Sequence, residues 1–288
     1  TNPNLNTDWS KEWIQFAPVW NLNASIAGGG DNSTFSTSLG YLDQTGMTIY
    51  SDYKRYNFRL NTSYKKGRFS FSETLGLTHK DKTPTTAFNI ALPTLPIYDE
   101  QGRFTSGGPD YYITPEDGKA QNKIAPLHYT DQFNKVTDLI GSLNAQLDIW
   151  GGLKYKLSLS GNYSNKHNYT HTPEYYTKWN SDGTPDKDYG NTRNSVSETR
   201  GEEFTYTIDN LLTYNKTFNR HSIDALLGTS WMREYYRYMT NSTINDLGGT
   251  DITGFQNEDG KISAGDSNAA LLSFFARFNY GFKDKFLF

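Results

Sequence analysis

The sequence contains no cysteine. That excludes disulfides, thiol nucleophiles and cysteine-held metals. It also lacks any run approaching the ~20 apolar residues that a membrane-crossing helix needs, and its mean hydropathy is -0.73. There is no surplus of basic charge: 28 Lys and Arg stand against 31 Asp and Glu, for a net charge of -3. An electrostatic footprint for nucleic acid is therefore absent. There is no His-Glu-x-x-His, no phosphate-binding glycine loop and no Gly-x-Ser-x-Gly, so neither catalysis nor a cofactor is expected. The chain opens on Thr1 with no signal peptide, as in a mature product or a piece of a longer one.

What the chain has instead is alternation. In Glu203–Tyr214, Phe204, Tyr206, Ile208, Leu212 and Tyr214 share one face, and Thr205, Thr207, Asp209 and Thr213 the other. A strand of this kind separates an apolar medium from water. The same pattern recurs over 19–27, 34–42, 53–64, 69–79, 136–149, 153–167, 221–239 and 270–282, with a stub at 285–288. Aromatic residues make up 15% of the chain, with 21 Tyr, 17 Phe and 6 Trp, which suits interfacial aromatic girdles. The expected fold is all-β: an antiparallel transmembrane β-barrel. A low mean hydropathy does not oppose this, because half of each strand faces water.

The connections alternate in length. Short turns fall at 28–33, 65–68, 150–152, 215–220 and 283–284, and long loops at 43–52, 80–135, 168–202 and 240–269. In bacterial outer-membrane barrels short turns face the periplasm and long loops face outward, so the alternation assigns sidedness. Residues 1–18 then form an outward loop with a short helix near 8–16, and 19–288 form about nine strands and a stub. An unclosed sheet edge does not persist in lipid, so the expectation is an incomplete part of a larger barrel. One residue breaks the pattern: Glu73 falls on an apolar face. The expectation is a β-bulge that shifts the register there; the alternative turns the carboxylate toward a neighbouring chain.

Few residues suggest chemistry. His167 and His171 are four apart where a strand runs into a loop, and an exposed loop pair is expected rather than zinc. Residues 255–266 resemble a calcium loop at Asn257, Asp259, Gly260, Ile262 and Asp266, but Phe255 removes the first ligand. A turn is expected there, and calcium binding is left open. Outward loops carry Tyr98, Tyr111, Tyr112, Tyr175, Tyr176 and Trp179. Of these, Tyr111, Tyr112, Tyr175, Tyr176 and Trp179 are the candidate substrate-binding residues, because aromatic faces stack on sugar rings or peptide side chains. The alternative is that these loops pack on one another or on a partner. Arg55, Arg59, Lys154, Lys156, Asp148 and Asp209 are expected on the lumen face, lining a solute path or holding other protein parts.

Several runs together resemble one family. They are Ser38-Leu39-Gly40-Tyr41-Leu42-Asp43-Gln44-Thr45-Gly46, Ser51–Leu60, Asn6-Thr7-Asp8-Trp9 ahead of Ala27-Gly28-Gly29, and Leu271–Tyr280 followed by Lys283-Asp284-Lys285. They are similar to barrel segments of the SusC/RagA family of TonB-dependent outer-membrane transporters. The resemblance implies a 22-stranded barrel with an N-terminal plug, of which this is a front portion without the plug. It further implies import of glycan or peptide nutrients across the outer membrane of Bacteroidetes-type bacteria. The implied partners are a SusD-like surface lipoprotein and the TonB complex, with outer-membrane lipid around the wall. The rival expectation is a secreted, soluble β-rich carbohydrate-binding module or adhesin, whose apolar faces would pack on each other. A β-propeller hydrolase would show a repeat of ~40–50 residues, and there is none.

Overall fold

The computed structural model describes residues 6–85, 93–107, 121–244 and 260–282, and the backbone of 286–287. The elements in chain order are α1 (Trp9–Trp13), β1 (Val19–Gly29), β2 (Ser33–Thr45), β3 (Asp52–Lys66), β4 (Phe69–Thr83), α2 (Ala125–Tyr129), β5 (Asp131–Trp150), β6 (Leu153–Thr172), β7 (Tyr175–Tyr176), β8 (Gly190–Asn191), β9 (Ser195–Phe218), β10 (His221–Ile244), β11 (Lys261–Phe282) and β12 (Phe286–Leu287). Ten strands form one antiparallel sheet in the order β1-β2-β3-β4-β5-β6-β9-β10-β11-β12, and β7 pairs with β8 separately.

The register carries the sequence pattern across the sheet. One hydrogen-bonded row runs Phe35, Thr62, Glu73, Leu143, Leu159, Ile208, Trp231, Leu272. The row one residue further along runs Ser36, Asn61, Thr74, Ser142, Ser160, Thr207. Side chains alternate faces along each strand, so the first row lies on the apolar face and the second on the polar one. In the first row Phe35 lies beside the β1–β2 turn, whereas Leu272 lies mid-strand in β11. Rows therefore climb relative to the turns, the stagger of tilted strands in a barrel wall.

The apolar face packs on no second sheet among the described residues: Leu39 is 61% exposed and Phe274 is 74% exposed. This removes the basis of the soluble-module expectation, which requires two sheets closing on each other. The expected bulge at Glu73 is corrected as well. Its pairing with Thr62 and Leu143 is regular, and the register shift lies instead between Asp148 and Trp150. Glu73 therefore stays on the apolar face.

The short turns use residues that accept a left-handed backbone. Gly67 has φ +60. Gly152 has φ +99, and a Cβ there would lie 2.1 Å from the Asn215 carbonyl oxygen, so only glycine fits. At the opposite end of the sheet lies a small core of Trp9, Trp13, Leu95, Ile97, Phe104, Ile124, Ala125 and Leu127. Trp9 and Trp13 share one face of α1, being four residues apart. The Asp8 carboxylate caps that helix by accepting from the amides of Ser10 at 3.1 Å and Lys11 at 3.2 Å. The long connections thus build a packed cluster of their own.

Candidate substrate path

Two regions place polar and aromatic groups where a solute would pass: the polar face of the sheet and the loop cluster above it. Along the polar face, hydroxyl and amide side chains bond across strands. Thr34 and Ser63 hydroxyls lie 2.6 Å apart, Ser158 donates to Asn144 at 2.8 Å, and Ser230 donates to Asp209 at 2.5 Å. Nearer the long loops, ion pairs take over: Lys80 with Asp138 at 2.8 Å and Lys166 with Glu203 at 3.2 Å. Asp138 also accepts from the Ser164 hydroxyl at 2.8 Å. Cross-strand bonds of this kind satisfy many of the polar side chains on this face.

The charged residues expected on this face do not converge on one site but fall into separate groups. Lys154 and Asp148 lie 3.8 Å apart beside a short turn, with Lys156 opposite Gln146. Asp209 is held by Ser230. Arg55 and Arg59 sit on β3, together lining a pocket of about 550 Å³ with Lys80 and Asp138.

The loop cluster is organised by Asn122, a residue sequence reading passed over. Its side-chain amide donates to the carbonyls of Ile97 at 2.8 Å and Thr105 at 3.0 Å. Its oxygen accepts from the amides of Ile124 and Ala125, both at 3.0 Å. The Asn122 amide donates to the Ser106 hydroxyl at 2.9 Å, and that hydroxyl lies 2.6 Å from the Thr177 hydroxyl. One side chain thus ties the 93–107 segment to α2, and Ser106 carries the link to the 173–191 loop. An asparagine just before a proline-containing helix start was the available signal.

Of the five candidate binding residues, Tyr111 and Tyr112 lie outside the described residues. Tyr175 stacks on Tyr129 with ring centroids 4.7 Å apart, and burial pushes its phenol pKa up. Tyr176 donates its hydroxyl to the Glu174 carboxylate, which raises its pKa. The Arg103 guanidinium lies over the Trp179 ring at 4.5 Å, and Asp99 holds Arg103 at 2.7 Å. Tyr175, Tyr176 and Trp179 therefore share one loop, but Tyr175 and Trp179 already have a protein group on one face.

His167 and His171 do not converge. His167 bonds Glu198 at 2.7 Å and His171 bonds Asn194 at 2.8 Å. Among the described residues no three His, Asp or Glu side chains gather as metal ligands. Of the calcium-like run, 255–259 lie outside the described residues, and Lys261–Asp266 are strand, paired with Ser242–Arg237 of β10. That half is a ladder, not a loop curled around an ion.

No protein-family model matches the chain. The TonB-dependent receptor P26 of Formosa agariphila is 24% identical over 303 residues, covering 98% of this chain and 28% of that protein. The TonB-dependent receptor SusC of Bacteroides thetaiotaomicron is 22% identical over 98% of this chain and 29% of its own length. Among solved structures, the RagAB peptide transporter superposes with a TM-score of 0.77 at 19% identity, covering 98% of this chain and 32% of that one. Its closed-closed state gives 0.78 at 20% identity. The chain thus spans under a third of the length of the proteins it matches. These relatives are named as receptors and a transporter. Along nearly its whole length the chain is similar in sequence to TonB-dependent receptors, SusC among them, and its fold is that of part of the β-barrel wall of RagAB.

Proposed function

We propose that the chain serves TonB-dependent import of glycan or peptide nutrients across a bacterial outer membrane, working with a SusD-like surface lipoprotein. The observation that carries this reading is the two-faced sheet. Its apolar rows are exposed on one side, and its polar rows are cross-bonded on the other. A wall with an apolar outer belt and a polar inner face suits a membrane barrel with an aqueous lumen. The likeness to SusC and RagAB supports the energy source and the kind of partner. In this reading residues 1–18 are an outward loop with a short helix, and 19–288 are the barrel wall. Tyr111, Tyr112, Tyr175, Tyr176 and Trp179 belong to the solute-capturing loops, with Tyr175 acting mainly as support for its neighbours.

Fractionation of the native protein tests the location, and uptake tests the activity. The protein should sit in the outer-membrane fraction at several times 32.7 kDa and bring a surface lipoprotein with it through detergent. Uptake of one labelled oligosaccharide or oligopeptide should stop when the TonB complex is deleted. A soluble species, or uptake indifferent to TonB, would remove this reading.

A further inference from the structure

Arg55 on β3 stands directly opposite Lys80 on β4. Cross-strand neighbours have Cβ atoms about 4.5–5.5 Å apart, and like charges so placed destabilise a sheet. Arg59 follows four residues on, about 13 Å along the same face. Both arginines and Lys80 line the same pocket, whose one carboxylate is Asp138. Asp138 is already taken by Lys80 at 2.8 Å and by the Ser164 hydroxyl at 2.8 Å. Lys166 finds an acid within the wall on Glu203, and Lys154 on Asp148. Arg55 does not: its Nε is buried without a hydrogen-bond partner among the described residues.

The pocket is also roomy. Gly76 lies between Arg59 and Ile140 in the polar row, and a Cβ there would come no nearer than 4.0 Å to any neighbour. The missing side chain leaves a gap in the wall beside Arg59. With a volume of about 550 Å³, the pocket lies in the range of small-ligand sites. Guanidinium groups are planar forks that match carboxylates bidentately.

We infer that the Arg55–Arg59 pocket binds carboxylate groups of the transported solute, so that the barrel favours acidic oligomers over neutral ones. This rests on the import reading. It explains why two fork-shaped cations and an opposed lysine are kept on one stretch of wall with a single, occupied acid.

The test is calorimetric titration of the whole transporter in detergent. One arm uses an aspartate-rich peptide and its asparagine counterpart. The other uses oligogalacturonate and its methyl ester. At least one acid should bind about tenfold or more tighter than its neutral partner, and the arm that does so names the solute's source. The double variant Arg55→Gln, Arg59→Gln should abolish that preference, leave the neutral affinity unchanged and leave the ligand-free melting temperature unchanged. If the double variant does not fold, Arg59→Gln alone is used, since Arg59 is exposed; it should weaken the preference. Equal binding of acid and neutral forms, no binding in either arm, or a preference that survives the substitutions would overturn the inference. So would a fall in the ligand-free melting temperature, which would give the arginines a carboxylate of the protein itself. TonB-dependent uptake of a neutral solute would leave the import reading standing in any of these cases.

Discussion

Tyr175 lies flat on Tyr129, with ring centroids 4.7 Å apart and planes at 18°. The contact joins the 173–191 loop to α2, and Tyr129 in turn meets Phe104 edge-on at 5.6 Å. A loop aromatic that reads as a ligand platform is thus partly a structural pin. Tyr175→Ala should loosen the loop cluster by about 1–3 kcal/mol, less than a full core deletion because the ring is half-buried. Limited proteolysis should then cut within 173–191 while the heat-resistant barrel band persists. An unchanged cleavage pattern would show that the stack adds nothing.

Asn122→Ala removes the groups that satisfy two buried amides and two carbonyls at once. Each buried polar group left unpaired costs about 1–3 kcal/mol, so a local loss of about 3 kcal/mol or more is expected. Hydrogen exchange of the 124–128 amides should speed up by about a hundredfold or more, with β5 and β6 unaffected. Asn122→Asp, which keeps the acceptor but not the donor, should fall between the two.

The strands were legible wherever one face is apolar and the other polar, because alternation then marks every residue with its side of the sheet. It failed at the long-loop ends. Residues 195–202 read as loop, yet they open β9. There both faces are polar, so no period marks the strand. Backbone pairing continues regardless, helped by Glu198, which bonds His167 and Arg200 at 2.7 Å each. Likewise residues 255–266 resembled a cation loop because the run holds Asn257, Asp259, Gly260, Gly265 and Asp266, but pairing with β10 takes Lys261–Asp266. The candidate site was legible in its residue types and not in its contacts. That Arg103 covers Trp179 and Asn122 ties the 93–107 segment to α2 depends on long-range meetings that no local pattern encodes.

Glu73 sits in regular register on the apolar face, between Thr62 and Leu143. If that row faces lipid, as the proposed function has it, a carboxylate there is unfavourable, though less so than a basic residue and less so near the interface. Glu73→Leu should therefore stabilise the whole protein refolded in lipid vesicles by about 1 kcal/mol against urea. A destabilised variant, or one that changes the migration of the native complex on a non-denaturing gel, would place a neighbouring chain against this row instead.

Acid should release the Asp99 turn. Burial works to raise the Asp99 carboxyl, but the Arg103 amide and guanidinium and the Gln101 amide hold it below the usual carboxylate value. A folded-state pKa below the unfolded one gives stability that is complete above about pH 4 and is lost as the pH falls through the lowered folded value. Amide protection of residues 99–103, corrected for intrinsic exchange rates, should therefore decline in that acid window. Asp99→Asn should show reduced protection already at neutral pH and little further change in acid. Since Arg103 lies over Trp179, Trp179 fluorescence should follow the same curve.

Adjacent residues of β6 offer the sharpest test of which face meets lipid. Leu159 lies in the apolar row between Leu143 and Ile208, and Ser158 lies in the polar one between Asn144 and Asp209. Leu159 lies six residues past the Leu153 strand start, which puts it near the middle of the proposed apolar belt. An arginine on the lipid face near the midplane costs about 2–4 kcal/mol, whereas one on a wet face near a carboxylate costs about 0.5 kcal/mol or less. Leu159→Arg should thus lower the urea midpoint of the vesicle-refolded whole protein sharply, and Ser158→Arg should leave it nearly unchanged. Equal effects would mean that both faces see the same solvent, and the barrel reading would fail. The reverse order would mean that the sheet is inside out, with the Ser158–Asn144 row against lipid, an arrangement that would strand the cross-bonded hydroxyls and amides of the polar face in hydrocarbon.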